Sequence, residues 1–188
     1  MTTIYFVRHA EPDFRIHDDR IRPLTPKGVQ DTELVTAYLK DKGVDAVLSS
    51  PFQRAADTVR GLAELLGLPI QLVEDFRERE VGAWVEDFTQ YSRRQWKDFD
   101  YRLDGGECLR EVQARNVAAL DRVRDEHPGR VVVVGSHGTA ISTLLHHFAP
   151  SFGYDDFIAI RDLMPWIVRF TFQQDNCVEI ERIDVFSE

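Results

Sequence analysis

Two histidines in this chain each follow a short, unbroken apolar run. Residues 4–7 (Ile-Tyr-Phe-Val) lead into Arg8 and His9, and residues 131–134 (four valines) lead through a Gly-Ser pair into His137. Such runs are typical of buried strands in a parallel sheet, and ligands of these sheets bind beyond the carboxyl ends of the strands. We therefore expect both imidazoles to face one crevice.

A third apolar run adds a second arginine to the predicted crevice. Residues 46–48 (Ala-Val-Leu) precede a Ser-Ser-Pro turn, and Arg54 falls in the first turn of the helix that should follow. Singly, a histidine after a strand is usually a hydrogen-bonded structural residue, and an arginine in a first helical turn is usually a solvated charge. Their joint occurrence at the same kind of strand end favours chemistry, because two imidazoles and two guanidinium groups suit a phosphoryl group.

These stretches resemble the histidine phosphatase superfamily, which includes the cofactor-dependent phosphoglycerate mutases and many small phosphomonoesterases. The resemblance spans most of the chain, and its strength lies in the order and spacing of six short blocks. The blocks are Arg8-His9-Ala10, Leu24-Thr25-Pro26-Lys27-Gly28, Ser49-Ser50-Pro51-Phe52-Gln53-Arg54, residues 77–84 (Arg-Glu-Arg-Glu-Val-Gly-Ala-Trp), Gly105-Gly106-Glu107 and Gly135-Ser136-His137-Gly138.

The chain departs from the family pattern at the rim of the expected pocket. Ala10 replaces a glycine, Cys108 replaces a serine, and Val85-Glu86 follow Trp84 where many members have Glu-Gly. Arg15 stands where mutase-like members often carry an asparagine that helps to hold the phosphate, so we include it among the phosphate-binding candidates. These changes leave the core catalytic groups intact and put the choice of substrate in doubt.

The resemblance implies a role for each core residue. His9 would be the nucleophile and become phosphohistidine, while Arg8, Arg54 and His137 would bind the transferred group. A histidine can attack phosphorus only as a neutral imidazole, and a hydrogen bond from its other ring nitrogen to a backbone carbonyl would hold it in that state. The family implies that this carbonyl lies in the loop after His9.

The proton donor for the leaving group should be a carboxylate, and the chain offers two. Glu78 occupies the family position and is our preferred choice. Glu80 lies two residues on, so in an extended segment its side chain points the same way. Glu80 therefore remains a rival, and the alternative explanation for it is a solvated or rim charge.

Composition limits the classes of partner. The 188 residues carry a formal net charge of −9, which disfavours nucleic acid because such binding depends on lysine and arginine. The start of the chain lacks the pattern of a signal peptide and no apolar run could cross a bilayer, so we expect a cytoplasmic protein with no membrane partner. Cys108 and Cys177 have no metal-binding or redox spacing, and adjacent His146 and His147 point in different directions on a helix, so no metal or cofactor is expected.

Alternating strand and helix patterns predict an α/β fold over residues 1–188, as one domain. We expect a mostly parallel central sheet with helices on both faces, forming a three-layer sandwich like that of phosphoglycerate mutase. A short helical cap insertion is expected at about 84–105, since this polar and aromatic stretch does not look like core. Helices should start at Thr25-Pro26, with Val29 on the apolar face, and at Ser50-Pro51, and the chain should end in a hairpin after residue 166.

The function that these observations predict is a metal-independent phosphomonoesterase that acts through phosphohistidine on a small soluble phosphate ester. A phosphoglycerate mutase is an alternative, although such mutases are usually longer and close the pocket with a larger insertion and a tail. A phosphoprotein (phosphohistidine) phosphatase is a further alternative, because a short cap leaves a shallow entrance. A sensor that binds without turnover would lack the nucleophile or the acid, and neither is missing here. The sequence leaves open a homodimer.

Overall fold

A mixed six-stranded sheet forms the centre of the fold in the computed structural model, which describes residues 1–187. Its strand order is β3-β2-β4-β1-β5-β6. The first four are parallel to one another, whereas β5 and β6 form an antiparallel hairpin at one edge. The mostly parallel sheet and the hairpin were both predicted correctly. The strands are β1 (Thr2–Arg8), β2 (Ala46–Ser49), β3 (Ile70–Leu72), β4 (Val131–Ser136), β5 (Trp166–Gln173) and β6 (Asn176–Ile183).

Helices cover both faces of this sheet, as expected for a three-layer α/β sandwich. Alternate strand residues point to opposite faces, so Tyr5 and Val7 pack with the first two helices, whereas Ile4 and Phe6 pack with the others. Within residues 1–187 no helix is long and apolar enough to cross a membrane. The helices are α1 (Pro26–Leu39), α2 (Gln53–Leu66), α3 (Phe88–Lys97), α4 (Leu109–Glu126), α5 (Gly138–Phe148) and α6 (Tyr154–Ala159), and Glu74–Phe76 form a single 3-10 turn.

Local residue chemistry explains where the first two helices begin. The Thr25 hydroxyl accepts a hydrogen bond from the backbone N–H of Gly28 (3.0 Å), so Thr25 caps α1 as predicted. Helix α2 begins at Gln53 rather than at Ser50-Pro51. The reason is that the Ser50 hydroxyl accepts from the N–H of Phe52 (3.2 Å) and so stabilises a turn before the helix.

The first turn of α1 packs against the chain through Gly28 and not through Val29. A Cβ atom at Gly28 would lie 2.3 Å from the carbonyl oxygen of Glu11, so this face of the helix is in direct backbone contact. Val29 is rotated away by one residue and is 58% exposed, so its predicted place on the apolar face is wrong. Val35 and Leu39, at seven and eleven residues from Gly28, do lie in the core.

The stretch expected to form a cap contains helix α3 but is not separate from the core. Trp96 is buried and packs on Phe152 and Phe157 at ring-centroid distances of 6.0 and 5.6 Å. Tyr91 is buried as well, whereas Trp84 is 67% exposed. The interpretation of all these aromatic residues as a cap outside the core is therefore wrong for Trp96, because the amphipathic α3 packs its inner side onto α6 and the residues before it.

We predict that Gly28→Ala destabilises the protein by about 1–3 kcal/mol, because the added methyl group cannot be accommodated without shifting backbone. Urea unfolding followed by circular dichroism would measure this change. The matched control is Gly61→Ala in α2, where the new Cβ meets only the Thr36 hydroxyl at 3.2 Å. Alanine is also the better helix former, so the control should stay within about 1 kcal/mol of the parent. Equal stability of the two variants would contradict the close approach at Gly28.

Candidate active site

The register between β1 and β4 brings the two motif histidines together. Arg8 lies opposite Ser136 in this parallel pair, so the next residues, His9 and His137, emerge side by side at the carboxyl edge of the sheet. Their ring centroids are 5.3 Å apart. The expected shared crevice therefore follows from strand pairing.

His9 is held as a neutral imidazole. It is 6% exposed, and its Nδ1 lies 2.8 Å from the carbonyl oxygen of Ala10. Since a carbonyl can only accept, Nδ1 is the protonated nitrogen and Nε2 keeps a free lone pair. Burial, together with the positive charges of Arg54 and Arg8, holds the pKa of His9 well below 6.5. The carbonyl that the family resemblance implied in the following loop is thus that of Ala10.

His137 precedes α5 and is completely buried. Its Nε2 is hydrogen-bonded to the Ser50 hydroxyl at 2.8 Å, and its Nδ1 has no hydrogen-bond partner in the part of the chain described. Burial and the charge of Arg54 lower the pKa of His137 well below 6.5. A histidine at a helix start, with a ring nitrogen that has no partner, suits an anion.

Arg8 crosses the start of α5 and is fixed by backbone carbonyls. Its Nη1 donates to the carbonyl oxygens of Ile160 (2.6 Å) and Leu163 (3.3 Å), while its buried Nε has no partner within residues 1–187. A Cβ at Gly138 would lie 3.0 Å from that Nε, so glycine at this position leaves room for the guanidinium. Burial lowers the pKa of Arg8 to about 10, against the opposing charge of Glu78, and the group remains a cation at neutral pH.

Arg54 reaches the same site from the first turn of α2. It is 2% exposed, and its Nη1 donates to the carbonyl oxygen of Asp19 at 2.6 Å. Its Nη2 lies 3.1 Å from the Asp19 carboxylate, which also accepts from Nη1 of Arg22 at 2.6 Å. Burial lowers the pKa of Arg54, and Asp19 and Glu78 oppose that effect.

Glu78 and its rival Glu80 occupy different surroundings. The Glu78 carboxylate accepts from the backbone N–H groups of Thr139 (3.1 Å) and Ala140 (3.3 Å) at the start of α5. Its charge opposes the lowering of the pKa of both Arg8 and Arg54. The side chain of Glu80 is exposed. The geometry therefore favours Glu78.

A buried ion-pair network holds the backbone on both sides of Glu78. Glu107 accepts from Arg77 at 2.6 Å and from Arg115 at 2.8 Å. Arg115 also donates to the carbonyl oxygens of Asp75 (2.6 Å) and Arg77 (2.9 Å), and through Nη2 to that of Glu78 (3.2 Å). Despite burial, the hydrogen bonds from these two arginines lower the pKa of Glu107 to about 2. Glu107 therefore stays ionised and keeps the segment in place.

Within residues 1–187, the side chain of Arg15 contacts Asp13 and not His9 or His137. The guanidinium is 87% exposed and makes a two-pronged hydrogen bond with Asp13, which lowers the pKa of Asp13 to about 2. The exposed surface pair leaves Arg15 pointing to solvent in the unliganded chain.

Several residues of the site were not among the sequence candidates. Ser50 lay inside a quoted block, and its hydroxyl could have been suspected because it follows a strand. For Asp19 and Arg22, the only signal was the charge of residues 13–22. For Thr58 and Arg115 there was no signal, because their partners are distant in the chain. The missed residues are Asp19, Arg22, Ser50, Thr58, whose hydroxyl accepts from the N–H of Ala10, and Arg115.

The histidines outside the site do not gather metal-binding partners. Nδ1 of His146 is hydrogen-bonded to the carbonyl oxygen of Phe152 at 2.8 Å, and the ring packs on Trp96 and Phe99. Across the described residues, no group of three or more His, Cys, Asp or Glu side chains is arranged to hold a metal ion. These histidines have packing and surface roles.

Together the site combines a neutral imidazole with a free lone pair, a second imidazole, two buried guanidinium groups and one carboxylate. Phosphoryl transfer needs a nucleophile, neutralisation of the phosphoryl oxygens and a proton for the leaving group. Each requirement has a group in this arrangement.

Comparison with known proteins agrees with this chemistry. The chain is 30% identical over 149 residues to "Uncharacterized phosphatase PhoE" of Bacillus subtilis (strain 168), covering 77% of this chain and 76% of the relative. It is 30% identical over 158 residues to "Probable phosphoglycerate mutase GpmB" of Escherichia coli (strain K12 / DH10B), covering 77% and 74%. A mycobacterial glucosyl-3-phosphoglycerate phosphatase, solved in complex with VO3, shares the fold with a TM-score of 0.77, 19% identity and coverage of 96% of each chain.

The sequence model of the histidine phosphatase superfamily (branch 1) matches residues 4–178, nearly the whole chain. It includes the strands that carry both motif histidines and the helix that carries Arg54. Phosphatase-named relatives fit the same assignment. The protein belongs to the histidine phosphatase superfamily.

Proposed function

We propose that this protein hydrolyses small soluble phosphate monoesters through a phosphohistidine formed at His9, without a metal ion or organic cofactor. The observation that carries the proposal is the hydrogen bond from Nδ1 of His9 to the carbonyl oxygen of Ala10. It leaves Nε2 unprotonated, between two guanidinium groups that would bind the phosphoryl oxygens.

In the first half-reaction, Nε2 of His9 attacks phosphorus while the P–O bond to the leaving group breaks. The electron pair of that bond goes to the leaving oxygen, which takes the proton of Glu78 in its carboxylic acid form and leaves Glu78 as the carboxylate. Arg8, Arg54 and His137 donate hydrogen bonds to the phosphoryl oxygens, where charge must be neutralised. Arg15 has no part in this scheme, since it is paired with Asp13 in the solvent.

In the second half-reaction, water attacks the phosphorus of phosphohistidine and the P–N bond breaks. The Glu78 carboxylate takes a proton from that water, which regenerates the acid. His9 returns to a neutral imidazole because the pair of electrons from the P–N bond stays on Nε2. Inorganic phosphate then leaves the two arginines.

A phosphoglycerate mutase is the alternative that a named relative favours, since the Escherichia coli relative carries that name. The two activities share the phosphohistidine and differ in the acceptor. A mutase must keep water out while the phosphoenzyme waits, which requires extensive closure. Helix α3, of ten residues, is a small element for that task. A phosphoprotein bearing phosphohistidine is a second possible substrate, because a small cap leaves a shallow entrance.

The nucleophile can be tested by trapping. Brief incubation with 32P-labelled substrate and quenching in alkali should leave label on His9, stable to base and labile to acid. His9→Ala should remove the label and lower kcat by about three orders of magnitude or more. The control His147→Ala changes an exposed histidine and should keep both. Chelation should not reduce labelling. Near-normal turnover of His9→Ala would disprove the mechanism.

The proton donor can be assigned with two paired variants. Glu78→Gln should slow an alkyl phosphate by about a hundredfold but an aryl phosphate by less than about tenfold, because a good leaving group needs little protonation. Glu80→Gln makes the same chemical change on the exposed neighbour and should alter neither rate by more than about twofold. Steady-state kinetics on both substrates measures the ratio. The selective pattern in Glu80→Gln instead would reverse the assignment.

The acceptor can be identified by product analysis. Given 3-phosphoglycerate and a bisphosphoglycerate primer, the enzyme should release inorganic phosphate faster than it forms the 2-isomer, as followed by 31P NMR. A panel of alkyl, aryl and sugar phosphates, together with a phosphohistidine-bearing protein, would rank the substrates. Sustained isomerisation with little free phosphate would establish the mutase instead.

A further inference from the structure

Asp19 binds hydrogen-bond donors of Arg54, and the mechanism assigns these donors to the phosphoryl group. One carboxylate oxygen, Oδ1, lies 3.1 Å from Nη2 of Arg54 and 2.6 Å from Nη1 of Arg22. The backbone carbonyl of the same residue accepts from Nη1 of Arg54 at 2.6 Å. Arg54 is thus engaged through both terminal nitrogens in the unliganded chain.

Arg22 belongs to the same electrostatic surroundings as the nucleophile. Its positive charge contributes to lowering the pKa of His9, although less than burial and the charges of Arg54 and Arg8. The side chain of Arg22 is only 11% exposed. The Asp19 carboxylate therefore lies between Arg54 and Arg22, two cations whose charges both act on His9.

The segment that carries Asp19 is held over the site by contacts on both sides. The ring of His17 stacks on Trp84 with centroids 4.3 Å apart and planes inclined by 19°. On the other side, the carbonyl of Arg20 accepts from the backbone N–H of Gln53 at 2.9 Å, and its guanidinium pairs with Glu74 at 2.6 Å. Residues 13–22, which we call the Asp19 segment, thus contact the start of α2 through Arg20, and contact Trp84, which precedes α3, through His17.

A phosphoryl oxygen that binds Nη2 of Arg54 competes there with the Asp19 carboxylate. Each guanidinium has a fixed fork of N–H groups, and a carboxylate oxygen presents to it the same acceptor geometry as a phosphoryl oxygen. Two anions at such a distance also repel each other strongly in a buried site, where water screens little. Binding of a phosphoryl oxygen at Nη2 of Arg54 is therefore opposed by the Asp19 carboxylate.

We propose that Asp19 is an internal competitor for the phosphoryl site, which sets the affinity for phosphate anions and promotes release of inorganic phosphate after each turnover. The inference rests on the proposed function, because it takes Arg54 as a ligand of the transferred group. When substrate binds, the Asp19 carboxylate leaves Nη2 of Arg54, and that nitrogen becomes free to donate to a phosphoryl oxygen. When hydrolysis is complete, the carboxylate returns and displaces the product.

This role explains why two buried cations tolerate an empty site. A guanidinium that is removed from water without a partner is costly, and a carboxylate from the same chain satisfies it until an anion arrives. An intramolecular partner is present at a fixed effective concentration, so it lowers affinity for every phosphate anion by a similar factor. Asp19 is a residue that tunes affinity and is distinct from the proton donor, Glu78.

The test is anion binding without turnover. Isothermal titration of inorganic phosphate and of vanadate should show about tenfold tighter binding to Asp19→Asn than to the parent, since the variant loses a charge-assisted contact to Arg54. Asp19→Ala, which removes the side-chain acceptor entirely, should bind at least as tightly as Asp19→Asn. The matched control is Asp18→Asn, which makes the same change of charge on the preceding, exposed residue. It should bind within about twofold of the parent.

The outcomes separate this inference from the proposed function. Tighter binding by the Asp19 variants alone supports internal competition. Unchanged or weaker binding by correctly folded Asp19 variants overturns it, and the proposed function stands if the parent still binds both anions and hydrolyses esters. If neither the parent nor the variants bind phosphate or vanadate, both the competitor role and the phosphoryl site are wrong. Circular dichroism checks folding, and the two Asp19 substitutions give independent readings.

Discussion

The site depends on one electrostatic constraint, which is the burial of two guanidinium groups beside two imidazoles. The positive charges of Arg8 and Arg54 add to burial in disfavouring protonation of His9 and His137. The same pair of cations that would neutralise a phosphoryl group therefore also keeps His9, the proposed nucleophile, neutral. Backbone carbonyls stabilise Arg8 and the Asp19 segment stabilises Arg54, so the chain folds around the charges without an anion.

Much of the fold was predictable because it depends on local patterns. Unbroken apolar runs marked β1 and β4, Thr25 marked the start of α1, and Gly67 ends α2 in the left-handed conformation that glycine adopts without strain. The same reasoning placed His9 and His137 together, since parallel strands end at one edge. The start of α2 and the exposure of Val29 were not predicted, because a side-chain turn at Ser50 and a backbone contact at Gly28 decided them.

The remaining parts of the site could not be read from spacing because they depend on tertiary contacts. Arg115 is 37 residues from Glu78, whose carbonyl it binds, and nothing in its neighbours suggests that role. Asp19 and Arg22 are recognisable only once the segment is folded over Arg54. Trp96 looked like a residue of an external cap because its neighbours in the chain are polar, yet its inward side meets Phe152 and Phe157.

The attachment of Glu78 to α5 has a mechanical consequence. Its carboxylate is bound to the backbone of Thr139 and Ala140, and the same helix begins directly after His137. A small displacement of α5 would carry the carboxylate and the imidazole in the same direction, so the spacing between them is conserved. Glu78 and His137 are thus attached to one helix that follows strand β4 directly, so their relative position is set by the central sheet.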